Sequence, residues 1–436
     1  MSPITIGCIG IVALLVLLAI RLPVGLALSI VGVAGVGSIT GWDGALARLG
    51  STPFEHSYNF QLSVIPLFVL MGHFAMVSGM SKDAFATANA WFGHWRGGLA
   101  SAAILGCAGF AAVSGSSAAS AATMGAVSLP EMEKYNYDRR LATGCIAAGG
   151  TLGILIPPSA SLIVYGLLTE QSIGRLFLAG VFPGLLLTVL FLLTIYIQTR
   201  IRPHYAPSVP KQPLSKRIAA LPRALSLILV VVFVFGGIYA GIFTPTEAAA
   251  VGALLAMLLA LFRGSLTRES FANVLLQTSK TTAFIFLILI GAFFFGPFLA
   301  ISEIPAWLMS TIESLNAPPI VIMGAILLGY IFLGTFLEGF AMMVLTVPIV
   351  LPVMLKLGQD PVWFGIVMVV VMEMGLISPP VGVNVFIVKG IAGNTPMRDI
   401  FIGILPFWVA MIVCLAVLVL FPDLALFLPN AMFDRP

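Results

Sequence analysis

The sequence predicts an all-α polytopic membrane protein, with about ten transmembrane helices, two re-entrant helical hairpins, and inverted-topology repeats that contain broken helices. Three observations carry that expectation. Of the 436 residues, 60% are hydrophobic and 9% charged, with mean hydropathy +1.10, whereas soluble domains hold about 25% charged residues. Apolar runs of about 20 residues recur from end to end, the length a helix needs to cross the hydrocarbon core. A proline and glycine pattern also appears twice, at a shift of 222 residues.

Spanning segments are expected near 3–20, 22–40, 61–79, 141–166, 176–199, 224–241, 247–262, 281–300, 362–388 and 400–421. The first, "MSPITIGCIGIVALLVLLAI", lacks a basic leader and a small-residue cleavage site, so it reads as a retained helix and not as a signal peptide. Two apolar stretches, 98–130 and 319–356, are rich in Gly, Ser, Ala or Pro at their middles. Each has room for two half-helices and is expected to enter and leave on one side, where only protein or a water-filled cavity can surround the non-helical tip. The organisation is N-terminal scaffold helices over 1–60 and a first inverted repeat over 61–199. A basic linker with central scaffold helices covers 200–280, a second repeat 281–421, and a C-terminal tail 422–436. The chain offers no hydrophilic stretch long enough for a soluble domain, so any ligand-capturing or ATP-hydrolysing module is expected to come from another chain or to be absent.

Charge orients this map. With both termini on the periplasmic side, 17 of the 21 Lys and Arg residues fall on the cytoplasmic side, leaving Arg48, Arg175, Lys356 and Arg435 outside. The segment "YAPSVPKQPLSKRIAALPR" reads as a basic cytoplasmic linker whose obvious contact is lipid head groups. The net charge of +4 points to no nucleic-acid partner. Cys8, Cys107, Cys145 and Cys414 have no metal-like spacing and read as packing residues.

Internal similarity is the strongest signal. Gly153, Pro157 and Pro158 in "GTLGILIPPSASLIVYG" match Gly375, Pro379 and Pro380 in "MEMGLISPPVGVNVFIV", and Leu129-Pro130 matches Leu351-Pro352. Inverted repeats with interrupted helices mark secondary transporters, with the binding site where the breaks meet. A proline has no N–H and displaces the carbonyl four residues earlier. Pro157 and Pro158 should therefore free the carbonyls of Gly153 and Ile154, and Pro379 and Pro380 those of Gly375 and Leu376. Bare carbonyls at that depth are costly unless satisfied, and a dehydrated Na⁺ takes oxygen ligands. Ser159 and Ser378 add hydroxyls beside the breaks. The opposing reading is a pair of ordinary proline kinks healed by neighbouring helices.

The hairpin tips form a second constellation. In "AVSGSSAASAATMG" a half-helix starting near Ser116 aims unpaired N–H groups and a positive dipole end at the cavity, which suits an anion; close helix packing through small residues is the alternative. The second tip, "LGTFLEGFAMM", places Gly334, Thr335 and Glu338 at the equivalent depth. Glu338 either contributes to ion binding or hydrogen-bonds its own hairpin. Glu373 is a weaker candidate, and Asn384 could present an amide to a substrate carboxylate. Glu247 in "TPTEAAA" is expected to cap a helix, and His73 to be a packing histidine.

With these residues on the page, the chain resembles a known family. "SGSSAASAATMG", "GGTLGILIPPS", "GIFTPTEAAAVGA", "TVPIVLPV" and "GLISPPVGVNVFI", in this order, resemble the large membrane subunit (M subunit, DctM/SiaM type) of TRAP transporters over essentially the whole chain. The resemblance implies a Na⁺-coupled importer of a small organic anion, such as a C4-dicarboxylate, sialic acid or another sugar acid, in a bacterial inner membrane. It implies an elevator-type fold, no cofactor beyond Na⁺ as coupling ion, a small four-helix Q-type subunit and a periplasmic P-type binding protein. The Q-type subunit is expected as a separate chain, since no fused small subunit precedes Met1. Carried over, one Na⁺ site draws on Ser114, Ser117, Gly153, Ile156 and Pro158, and the other on Gly334, Thr335, Gly375, Ser378 and Val381. Ser116, Ser159, Glu338 and Asn384 are the substrate-binding candidates. The alternatives are a self-sufficient ion-coupled dicarboxylate carrier or antiporter of the same superfamily and, against the sequence, an intramembrane enzyme. An enzyme is not expected because the chain has no HExxH pair and no paired intramembrane aspartates.

Overall fold

The structure, a computed structural model, describes residues 1–314 and 317–433; Arg435, counted in the charge map, lies outside them. In chain order the helices are α1 (Pro3–Ala19), α2 (Val24–Thr40), α3 (Trp42–Ser57), α4 (Val64–Val77), α5 (Met80–Phe92), α6 (Gly98–Ser114) and α7 (Ser117–Lys134). They continue as α8 (Arg139–Leu155), α9 (Ala160–Thr169), α10 (Ile173–Ile201), α11 (Leu214–Tyr239), α12 (Pro245–Phe262), α13 (Arg268–Ile301) and α14 (Ile304–Ser314). The chain closes with α15 (Pro319–Gly334), α16 (Gly339–Lys356), α17 (Pro361–Leu376), α18 (Val383–Ile391), α19 (Met397–Leu420) and α20 (Asp423–Phe433). The fold is all-helical.

The repeat seen in the sequence is a repeat of helices. Shifting α7 by 222 residues lands on α16 at both ends, and the same shift carries α8 to within a residue of α17. It also carries α9 onto α18, α6 onto α15, and α5 onto α14. Both stretches expected as hairpins are pairs of packed half-helices, α6 with α7 and α15 with α16. The first hairpin runs on to Lys134, past the expected end at 130, because Pro130 sits inside α7 without ending it. Both expected broken helices are broken: α8 gives way to α9 across 156–159, and α17 to α18 across 377–382. The Pro157–Pro158 and Pro379–Pro380 peptide bonds are cis.

Among the described residues eight helical segments are long and apolar enough to cross a membrane, against the ten expected; seven of them coincide with expected spans, and the eighth, Gly339–Lys356, is half of the second hairpin. The three expected spans not among them are those of α1 and α2, of 17 residues each, and of α17, of 16 residues before its break; at 1.5 Å per residue 17 residues rise about 25 Å, against a hydrocarbon core of about 30 Å. Four segments that hydropathy leaves out are helical. They are α3, α5, α14 and, within the tail, α20 over Asp423–Phe433. Half of the expected linker is already α11, which begins at Leu214. The boundary drawn at 280/281 falls within α13, a continuous helix of 34 residues.

The two pre-break half-helices form the centre of the molecule. Every residue from Leu141 to Leu155 on α8, and from Val362 to Leu376 on α17, is buried. Small residues let neighbours approach: Gly144 on α8 lies against the Gly403 backbone of α19, and Gly25 and Gly32 on α2 lie against the backbone of Leu287 and Phe294 on α13. Polar clamps tie the periphery, with Arg140 of α8 held 2.9 Å from Asp399 of α19 and Arg263 held 2.6 Å from Asp83 of α5.

Candidate functional site: two helix breaks, each seated on a hairpin tip

The first break follows from its prolines. α8 ends at Leu155, and the Ile156 N–H makes the last helical bond, to the Leu152 carbonyl at 2.9 Å. The next helical donor, to the Gly153 carbonyl, would come from Pro157, which has none. The chain resumes as α9 with Ser159 as its cap, the hydroxyl accepting from the Leu162 N–H at 3.3 Å. Pro157, Pro158 and Ser159 are all buried.

The first hairpin tip lies directly on this break. Gly115, at φ +60°, turns the chain between α6 and α7, and a Cβ there would sit 2.7 Å from the Pro158 carbonyl oxygen. A Cβ on Gly153 would sit 2.5 Å from the Ser116 carbonyl oxygen and 2.7 Å from the Ser120 hydroxyl. Only glycine permits both approaches. Ser116 caps α7, its hydroxyl accepting from the Ala119 N–H at 3.3 Å, while the Ser114 and Ser120 hydroxyls share a 2.9 Å hydrogen bond. Of the first set of expected ligands, Ser114, Gly153 and Pro158 are thus gathered around the tip, while the Ser117 hydroxyl turns to Glu373 and Asn384. The Ile156 side chain packs against Gly184 of α10. A cavity of about 130 Å³ adjoins the tip, lined by Ser114, Gly115, Ser116 and Pro158 and closed from the far side by α4 and α13.

The second tip and break repeat the contact but not its details. A Cβ on Gly375 would sit 2.6 Å from the Gly334 backbone, so the two glycines fix the approach of α15 to α17. The expectation of two bare carbonyls needs correction here. The Ser378 N–H reaches back three residues to the Gly375 carbonyl at 3.0 Å, so that oxygen already accepts one hydrogen bond and has a single lone pair left. The Ser378 hydroxyl donates to the Met374 carbonyl at 2.6 Å and accepts from the Trp408 indole N–H at 2.9 Å. Thr335 turns its hydroxyl back to the Phe332 carbonyl at 2.7 Å, and Val381 is exposed with Pro379 and Pro380. The first break is enclosed and the second lies open.

Three of the four substrate candidates turn out to be helix caps. Glu338 stands 222 residues after Ser116 and does the same work, its carboxylate accepting from the Ala341 N–H at 3.2 Å to cap α16. Ser159 caps α9. The fourth, Asn384, is fully buried and gives its amide N–H to the Ser117 hydroxyl at 2.6 Å. That same hydroxyl donates to Glu373 at 2.8 Å, joining α7 to α17 across 256 positions of sequence. No pattern in the sequence announces that pairing. His73 hydrogen-bonds Thr278 of α13 at 2.9 Å and, beyond its expected packing role, lines the cavity with Thr281. Glu247 caps α12 as expected, in a capping box with Thr244. Among the described residues no His, Cys, Asp and Glu cluster could hold a metal ion.

Comparison with known proteins turns on the chain as a whole. The family profile described as "Tripartite ATP-independent periplasmic transporter, DctM component" matches residues 11–424. This chain belongs to the DctM family. It is therefore a permease component of a TRAP transporter and not an enzyme. The DctM-family chain is 39% identical to the C4-dicarboxylate TRAP transporter large permease protein DctM of Pseudomonas aeruginosa, over 86% of this chain and 88% of that one. It is 35% identical to the sialic acid TRAP transporter large permease protein SiaM of Vibrio cholerae, over 85% and 87%. It is also 32% identical to the isethionate TRAP transporter permease protein DctMQ of Oleidesulfovibrio alaskensis, over 96% of this chain and 65% of that protein. In fold the DctM-family chain is similar to the YdaH transporter of Alcanivorax borkumensis, with TM-score 0.62 over 88% of each chain at 13% identity.

Proposed function

We propose that this chain is the large transport subunit of a Na⁺-coupled, binding-protein-dependent importer of a small organic anion, working by an elevator mechanism in a bacterial inner membrane. The observation that carries the reading is the seating of each hairpin tip on a proline-interrupted helix, through Gly115 and Gly153 in one half and Gly334 and Gly375 in the other. The first arrangement fits a hard cation: the Gly153 carbonyl has no helical donor, and the Ser116 carbonyl and the Ser120 hydroxyl, itself hydrogen-bonded to Ser114, lie against Gly153. The second fits less completely, since Gly375 and Ser378 offer oxygens that each already hold hydrogen bonds. Na⁺ held at either place would supply positive charge and lock a tip to its break.

The energetics favour such coupling. An anion entering a negative-inside cell meets about 2.3 kcal/mol of opposition per charge per 100 mV. Two Na⁺ ions remove that opposition for a monoanion or a dianion. The three relatives above are named for a C4-dicarboxylate, sialic acid and isethionate, all organic anions, which supports the substrate class. A small Q-type subunit and a periplasmic P-type binding protein complete the assembly; the DctMQ name of the isethionate relative leaves room for the Q-type part to be fused or separate. The moving block is the two hairpins with α8, α9, α17 and α18, and both termini face the periplasm.

Uptake of radiolabelled succinate, sialic acid and isethionate into proteoliposomes, with all three components and the binding protein of the same organism, tests this. Accumulation should require an inward Na⁺ gradient and stop when the binding protein is omitted. Uptake undiminished when K⁺ or choline replaces Na⁺ contradicts the coupling. Uptake without the binding protein favours a self-sufficient carrier.

A further inference from the structure

An open groove of about 800 Å³ lies between α6 and α10, away from both expected Na⁺ sites. One wall is a single face of α10, where Val189, Leu193, Tyr196 and Arg200 recur at helical spacing and are all exposed. The other wall is Ser101 and Leu105, one turn apart on α6. The loop before α6 closes one end with Trp95 and Arg96. Gly97 sets that closure: at φ +73°, a Cβ there would sit 2.7 Å from the Ile195 side chain, so the loop rests on the last turns of α10. Arg200 stands in the final turn of α10, a helix long and apolar enough to cross a membrane. The closed end of the groove is therefore at head-group level.

The donors gather at that end. Arg200 gives Nε to the Tyr196 hydroxyl at 3.1 Å and lies 5.2 Å from the Tyr196 ring centre, which leaves its two terminal nitrogens open. Among the described residues, the Arg96 guanidinium and the Ser101 hydroxyl have no hydrogen-bond partner. No carboxylate lines the groove. Unopposed guanidinium groups match phosphate oxygens, which they bind in pairs. Trp95 and Tyr196 add amphipathic rings of the kind that sit at the membrane–water boundary. The rest of the groove is apolar. From Val189 to Arg200 the helix rises about 16 Å, close to half of a hydrocarbon core of about 30 Å. A 16 Å length of α-helix about 10 Å across fills about 1,250 Å³. That exceeds the groove, so the space suits acyl chains and not a partner's helix.

We propose that this groove binds one acidic phospholipid, with its phosphate between Arg96 and Arg200 and an acyl chain along Leu105, Leu193 and Val189. On the orientation given above, both arginines face the cytoplasm, so the lipid comes from the cytoplasmic leaflet. The basic linker lies on the same side: the charges of Lys211 and Arg217 reach His94, two residues before Arg96. A positive field of this kind draws acidic head groups. The bound lipid would join α10 to α6, the outer half of the first hairpin. The proposal is independent of Na⁺ coupling.

The test is native mass spectrometry of the full chain, purified in detergent and titrated with phosphatidylglycerol or phosphatidylcholine, with lipid bound per chain as the readout. The wild-type chain should hold one phosphatidylglycerol about tenfold more tightly than phosphatidylcholine. Arg96→Gln combined with Arg200→Gln should abolish that preference. Lys216→Gln, which removes an exposed linker cation outside the groove, should keep it. Three results overturn the proposal: no preference in the wild-type chain, full preference in the arginine pair, or a loss in Lys216→Gln as large as in that pair, which would show surface charge alone. Should the arginine pair fail to fold, Leu193→Trp, which fills the apolar part of the groove from an exposed position, must weaken phosphatidylglycerol binding; unchanged binding overturns the proposal. A wild-type dimer that Leu193→Trp splits, with phosphatidylglycerol binding unchanged, would show a second copy in the groove and overturn it as well.

Discussion

At the scale of the residue, the chemistry of this chain is set by what prolines withhold and what glycines admit. Pro157 and Pro379 each lack the N–H that would close the last turn of a central helix, yet the outcomes differ. Gly153 keeps a carbonyl without a helical donor, whereas Gly375 recovers one from Ser378 at 3.0 Å. The glycines matter for their missing side chains. Gly375→Leu drives a branched side chain into the Gly334 backbone, where even a Cβ would lie 2.6 Å away; backbone cannot yield as a flexible side chain does, and overpacking costs typically 1–3 kcal/mol or more. The variant should insert into the membrane at normal levels and lose transport, measured as proteoliposome uptake against reconstituted protein. Retained uptake would remove Gly375 from the second site.

At the scale of the element, close helix approach does the same work between α8 and α19. Gly144 and Gly403 face each other so tightly that a Cβ on either would clash with backbone, on the Gly403 carbonyl or the Arg140 carbonyl. Gly403→Val should lower the melting temperature of the purified chain and reduce its folded yield on size exclusion; a melting temperature equal to wild type would show that this contact yields cheaply. The elements themselves were legible to differing degrees. Long apolar runs and proline pairs announce α10, α13, α19 and both breaks, because a bilayer permits few other readings of such a sequence. The short helices α3, α5, α14 and α20 escaped because they carry charged or polar residues such as Asp43, Glu55, Lys82 and Asp423 among their apolar ones, and hydropathy averages these away. The start of α7 at Ser116 is legible in the sequence, whereas Ser159 reads only as a hydroxyl beside the break, although Ser before an apolar run is the ordinary signature of a helix start. The link from Ser117 to Glu373 was not legible, since a hydrogen bond between residues 256 apart leaves no local pattern.

At the scale of the whole molecule, one plan is used twice, hairpin then broken helix, with the two pre-break helices buried at the centre. The copies are unequal. The first tip and break are enclosed beside a cavity of about 130 Å³, while Pro379, Pro380 and Val381 of the second are exposed. The central claim is that tips seated on breaks create places for Na⁺. The melting temperature of the purified chain in NaCl against KCl at equal ionic strength tests it most directly. A cation bound only by the folded state stabilises by about 2.7 kcal/mol per site at a hundredfold excess over its dissociation constant. The account predicts a melting temperature that rises with NaCl concentration, with a smaller rise in Gly375→Leu; identical curves in NaCl and KCl would contradict it.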